Sequence, residues 1–99
     1  MRLTSSEQAQ IKQRCHTLLG ADCGLWVFGS RARDDARGGD LDLLVRSPQR
    51  LSRKVVLACD LAVQIERIMQ GRKVDVLLID PDTELQPIHQ VALETGVPL

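Results

Sequence analysis

The sequence predicts a small α/β sandwich, a three- or four-stranded sheet with helices packed against it. Apolar runs of strand length at Leu25–Phe28, Leu41–Val45 and Lys73–Ile79 alternate with stretches whose apolar residues recur at helical spacing. Gly20, Gly38-Gly39, Gly71 and Gly96 fall where those stretches end. At 99 residues, the chain reads as a single domain spanning 1–99, with room for one core.

Ser5 or Ser6 is the expected N-cap of a first helix reaching about Leu19, with Gly20 as its stop. Ala9, Ile11, Cys15, Leu18 and Leu19 give it an apolar stripe. Gly24 opens the first strand, and a short helix is expected from Ser30 through Ala36, ended by Gly38-Gly39. Ser47-Pro48 is placed to start the longest helix, since proline suits a first turn, and the helix runs to about Gln70. Its stripe is Leu51, Val55, Ala58, Cys59, Ala62, Ile65 and Met69, widened by Leu57, Leu61 and Ile68. That width fits either a deeply buried helix or one that packs on the sheet with one face and on a partner chain with the other. The third strand ends at the turn signal Asp80-Pro81. A last helix covers Pro87 to Thr95, with Gly96 as its cap.

The hydrophobic share is 43%, yet the only aromatic residues are Trp26 and Phe28, so the core is built from Leu, Val, Ile and Ala. The lack of aromatic platforms argues against single-stranded nucleic-acid binding. Thirteen basic and thirteen acidic residues cancel, leaving no global field to draw the chain to DNA or a membrane. Cys15, Cys23 and Cys59 are odd in number and lack CxxC spacing, which fits reduced thiols. No apolar leader opens the sequence and no run reaches the length of a membrane span. The expected location is the cytoplasm.

The residues that carry chemistry lie around the first two strands. Gly29-Ser30 closes Leu25–Phe28, and such a turn leading into a helix offers N–H groups and a hydroxyl to an anion. Asp40 and Asp42 are two apart at the start of the second strand and share a face. Asp75 interrupts the third strand between Val74 and Val76, opposite the core face, where it can stand beside Asp40 and Asp42. Three crowded carboxylates repel and raise one another's pKa. A divalent cation relieves this, and hard oxygen ligands select Mg²⁺ or Mn²⁺ over zinc. Phosphate turn and metal site together point to metal-dependent chemistry on a nucleoside triphosphate. His16 and His89 lack metal-ligand spacing, Asp60 and Glu66 read as exposed helix residues, and Asp80 and Asp82 as turn residues.

Gly29-Ser30-Arg31-Ala32-Arg33-Asp34-Asp35-Ala36-Arg37 followed by Asp40-Leu41-Asp42-Leu43-Leu44-Val45 resembles the signature loop of the DNA polymerase β-like nucleotidyltransferase superfamily. The closest likeness is to its minimal nucleotidyltransferase (MNT) domains, and it extends over nearly the whole chain. The resemblance implies a small nucleotidyltransferase fold with a three- to four-stranded mixed sheet. It implies that Asp40, Asp42 and Asp75 are the catalytic residues and hold two metal ions, Mg²⁺ or Mn²⁺. It also implies that Gly29 and Ser30 grip the triphosphate of ATP, with Arg31 and Arg33 placed to neutralise phosphate charge. Two features depart from the family pattern: the stretch between Ser30 and Asp40 is one residue short, and Asp34 stands where glycine usually follows Ala-Arg.

Larger members of the superfamily carry an acceptor-binding domain, which a chain of this length has no room for. Minimal domains of this kind resemble the antitoxins of HEPN–MNT toxin–antitoxin pairs, whose HEPN partner is a helical ribonuclease toxin. The resemblance implies transfer of AMP from ATP to a tyrosine of that toxin. It leaves open a homo-oligomer or a hetero-oligomer with the toxin. The short loop and Asp34 motivate the alternative of an antitoxin that neutralises its partner by binding alone. A transferase acting on a small hydroxyl-bearing molecule is the third reading.

Overall fold

The computed structural model describes residues 3–32 and 39–99. Helix α1 (Ser5–Leu19) is followed by strand β1 (Gly24–Phe28), a 3₁₀ turn (Gly29–Ala32), strand β2 (Leu41–Arg46) and helix α2 (Lys54–Ile68). Strand β3 (Val74–Ile79), helix α3 (Pro87–Thr95) and the two-residue strand β4 (Val97–Pro98) complete the chain.

The sheet has the order β3-β2-β1-β4 and is mixed. β1 runs antiparallel to β2 and to β4, whereas β2 and β3 are parallel. A parallel pair needs a long crossover, which residues 47–73 supply with α2 at their centre. The small α/β nucleotidyltransferase fold expected from the sequence is thus observed, with the fourth strand made by the chain end and tied by Leu99 N–H to Leu25 O at 3.0 Å.

Alternation along the strands decides the two faces. Leu25, Val27, Leu41, Leu43, Val45 and Val74 point to one side and pack with Ile11 and Cys15 of α1 and Leu61 and Ile65 of α2. The opposite side carries a smaller cluster, Leu44, Ile79 and Ala92, with Trp26, Phe28, Leu77 and Leu93 at its margin. One short helix, α3, covers that second face, against β1 and β2. The face is only partly roofed, and the acidic residues lie on its open part.

Three expectations need correction. The N-cap of α1 is Thr4: its hydroxyl accepts from Glu7 N–H, and the Glu7 carboxylate accepts from Thr4 N–H, a reciprocal box that starts the helix one residue earlier than Ser5 would. Helix α2 begins at Lys54, well after Ser47-Pro48. Ser47 Oγ accepts from Gln49 N–H and the Asp80 carboxylate accepts from Leu51 N–H, so local side-chain bonds hold 47–51 as a turn. The third correction concerns the face that α2 buries. Leu61, Ile65 and Met69 are buried, but Val55, Val56 and Val63 are 78%, 42% and 48% exposed and Cys59 is exposed too. α2 is therefore not deeply buried. Its N-terminal half leans on the protein by Leu57 and Ala58, with Val55 and Cys59 turned outward.

Helix α3 and its Gly96 cap match expectation. The expected short helix from Ser30 to Ala36 appears as the 3₁₀ turn as far as Ala32, and its remainder lies outside the described residues.

Candidate active site

Three elements bring the acidic residues together. Asp42 occupies the second position of β2 and Asp75 the second position of β3, and the parallel register sets them directly side by side. On the other flank Phe28, the last residue of β1, pairs with Asp42. Asp40 precedes β2 and is exposed, joined to the strand through Leu41, whose N–H donates to Lys73 O at 3.1 Å.

The electrostatics follow from that placement. The Asp42 carboxyl is pushed above the usual carboxylate range, first by burial, then by the charges of Asp75 and Asp40, with Lys73 opposing. Lys73 Nζ stands 3.8 Å from Asp75 Oδ1. Lys73 was not among the residues expected from the sequence to belong to the site, although it lies two residues before Asp75. The i, i+2 relation along a strand was the available signal.

Gly29 fits against the same carboxylate. Its φ is +70°, and a Cβ there would strike Asp42 Oδ2. Glycine is what lets the turn after β1 lie against Asp42. Ser30 follows within the 3₁₀ turn, while Arg33 lies outside the described residues. Arg31 is placed elsewhere. It is 5% exposed and lines a cavity of about 480 Å³ with Leu3, Glu7, Met69 and Arg72, between the start of α1 and the end of α2. Leu3 and Met69 belong to the main core, so Arg31 projects to the face opposite Asp42 and Asp75.

The donor set suits a hard divalent cation: carboxylates only, with two of them abreast on a rigid parallel pair. Among the described residues no three acidic, histidine or cysteine side chains converge on one point. Asp40 is felt at Asp42 through its charge and must turn inward to complete a three-carboxylate site.

Asp80 has a different role from the turn residue expected. Its side chain is 1% exposed and accepts from Leu51 N–H, Lys54 Nζ, Thr83 Oγ1 and Asp82 N–H. These bonds, the one from Leu51 first, hold its pKa down at about 2. Asp80 fastens the end of β3 to the start of α2, five residues along the strand from Asp75. His89 is likewise structural, its Nδ1 accepting from Gln86 N–H at 2.9 Å. Glu66, expected to be exposed, is half-buried and accepts from Val74 N–H at 3.2 Å.

A mixed sheet whose glycine turn lies against one of two paired strand carboxylates defines a class of small nucleotide-transferring domains. The comparison with known families agrees: the profile of the nucleotidyltransferase domain matches residues 9–96. The chain belongs to that family, whose chemistry is nucleotidyl transfer. Neither the curated proteins nor the solved structures give a match. No helix among the described residues is long and apolar enough to cross a membrane.

Proposed function

We propose that the chain is a Mg²⁺-dependent adenylyltransferase that moves AMP from ATP to a tyrosine of a cognate HEPN ribonuclease toxin, and so acts as an antitoxin in the cytoplasm. The observation that carries the transferase reading is the side-by-side pairing of Asp42 and Asp75 next to a glycine turn. Asp42 and Asp75, joined by Asp40, would hold the metal ions. Bound there, two divalent cations supply charge stabilisation to the attacking and leaving oxygens of an in-line displacement.

The chain's own residues set the geometry. The turn at Gly29-Ser30 presents backbone to the triphosphate on one side of Asp42. The acceptor hydroxyl gives up its proton to solvent as its oxygen bonds to the α-phosphorus. The bond from that phosphorus to the bridging oxygen breaks, and pyrophosphate leaves with the electron pair. Lys73, whose Nζ stands 3.8 Å from Asp75 Oδ1, opposes the negative charge gathered at this point.

The toxin partner, and the tyrosine on it, rest on the likeness to minimal nucleotidyltransferase antitoxins. The exposed valines of α2 supply a surface that such a partner could cover. The test is label transfer: purified chain, Mg²⁺, ATP labelled at the α-phosphate and the HEPN protein should give a labelled partner. Asp40→Ala with Asp42→Ala should reduce transfer by at least about a hundredfold, as expected when metal ligands are removed. Undiminished labelling in that double variant would sink the site. Neutralisation of the toxin by the same variant would favour the binding-only reading, which the short stretch between Ser30 and Asp40 and the presence of Asp34 motivate.

A further inference from the structure

β3 is an edge of the sheet, and its outer side is open. Leu41 N–H donates to Lys73 O and Ser47 N–H to Ile79 O, so in this parallel ladder Asp75, Leu77 and Ile79 bond to β2. Val74, Val76 and Leu78 therefore turn their N–H and C=O groups outward. Val74 N–H is met by the Glu66 carboxylate at 3.2 Å. The N–H groups of Val76 and Leu78 take no partner among the described residues. Such a row is a template for another strand. The opposite edge is not, since β4 has two residues and one of them is Pro98.

The residues of the edge decide which strand fits. Laid antiparallel against its own copy with Val76 on a two-fold axis, β3 pairs Val76 with Val76 and Val74 with Leu78. Val76 N–H then donates to Val76 O and Leu78 N–H to Val74 O, each bond made twice by the symmetry, while Val74 N–H stays on Glu66. This register matches all three outward residues. Moving the axis to Asp75 loses a pair and sets the two Asp75 carboxylates face to face, which like charges oppose. Centred on Val76, each Asp75 stands opposite Leu77 of the second copy. The ends agree in charge as well. Arg72 and Lys73 precede β3 and Asp80 and Asp82 follow it, so antiparallel copies set each basic end against an acidic one.

Helix α2 continues the contact above the sheet. Glu66 reaches the edge at Val74, and Val63 and Cys59, three and seven residues earlier, share its side of the helix. Val63 is 48% exposed and Cys59 is exposed. At about 3.3 Å per strand residue and about 1.5 Å per helix residue, Val76 is level with a point about four residues before Glu66, close to Val63. Val63 thus stands beside the axis. α2 ends at Ile68, so antiparallel copies overlap only from about Ala58 onward, and Val55 and Val56 stay outside the contact. We propose that the chain is a dimer in which two copies join through β3, antiparallel about Val76, and cover Val63 and Cys59 with α2 of the second copy. Because β4 cannot pair, the assembly closes at two copies. It holds whether or not the chain transfers nucleotides, and it adds Leu77 of the second copy to the surroundings of each Asp75.

The test uses the whole chain. Sedimentation over a dilution series should give a species of twice the chain mass that dissociates at low concentration. In that species the Val76 and Leu78 amides should be protected from hydrogen exchange, and dilution should cut the protection at least about tenfold. Val63→Lys sets two like charges beside the axis and, as a change at the surface, leaves the fold intact. It should raise the dissociation constant at least about tenfold. Arg72→Glu should weaken association too, and added salt should narrow its difference from the parent chain. A single-chain mass at every concentration would overturn the proposal. So would a dimer that Val63→Lys leaves unchanged, or one whose Val76 and Leu78 amides exchange as fast as in the dissociated chain.

Discussion

Asp42 and Asp80 are both half-hidden or hidden carboxylates, yet their surroundings drive them in opposite directions. Asp42 is raised because burial and two like charges oppose its ionised form. Asp80 is lowered to about 2 because four donors favour it. A depressed folded pKa contributes stability that is present above the unfolded value, near 4, and is lost as pH falls through the folded one. Asp80→Asn should therefore lower the urea midpoint at pH 7, and its gap to the parent chain should close between about pH 4 and pH 2. Urea melts across that range check it. Gly29 gives a second test at this scale. Gly29→Ala meets both a left-handed φ and the Asp42 carboxylate, so it should cost about 1–3 kcal/mol of stability and most of the transfer activity. Denaturant melts and label transfer would show it. The pairing of Asp75 with Asp42 could be anticipated because strand alternation alone sets Asp75 opposite Val74 and Val76. The role of Asp80 could not. Asp-Pro reads as a turn, and the donors that bury it come from Leu51 and Lys54, 29 and 26 residues away.

Helix α2 shows where periodicity stops being informative. Val, Leu, Ile and Ala occur all round it, so the stripe Leu51, Val55, Ala58, Cys59, Ala62, Ile65 and Met69 looked as apolar as the flank Leu57, Leu61 and Ile68. Packing buried residues of both, Leu61 from the flank and Ile65 and Met69 from the far end of the stripe, and left its start outside. Leu61 and Ile65 are fully buried against the sheet, whereas Val55 is 78% exposed. The start of the helix was equally hard to read, because Ser47-Pro48 has the chemistry of a first turn but Ser47 bonds within its own turn instead. α1 and α3 were legible because a Gly stop ends each, and Pro87 marks the first turn of α3. The choice of face can be tested on one helix. Ile65→Ala should cost about 2–5 kcal/mol, as for a large core side chain truncated to Ala. Val55→Lys should stay within about 0.5 kcal/mol of the parent chain. Equal losses in chemical melts would mean that α2 sits with its outer face covered.

At the scale of the whole molecule, the fold places an electrostatic conflict on a rigid support. The parallel β2–β3 pair, fixed by the α2 crossover and locked by Asp80 at its far end, holds Asp42 and Asp75 abreast and cannot relieve their repulsion by moving apart. The alternation of helices and strands was enough to expect a sheet with helices against it. The reversal at β1 was not, because the chain between Ser30 and Asp40 sets whether β2 returns antiparallel, and the two residues of β4 are too few to carry a pattern. The conflict makes a prediction about ligand linkage. A cation that binds only the folded chain stabilises it by mass action, about 2.7 kcal/mol at a hundredfold excess over its Kd. Mg²⁺ with ATP should raise the melting temperature accordingly. Asp42→Asn removes one of the repelling charges without changing its shape, so it should melt higher than the parent chain in the absence of ligand. It should also lose the rise that Mg²⁺ and ATP give, since an amide is a poorer ligand for a hard cation than a carboxylate. A thermal melt of both chains, with and without Mg²⁺ and ATP, reads the two effects together. Were Asp42→Asn to melt lower and still respond to the ligands, the carboxylate would be a structural residue and the metal would have to be held elsewhere.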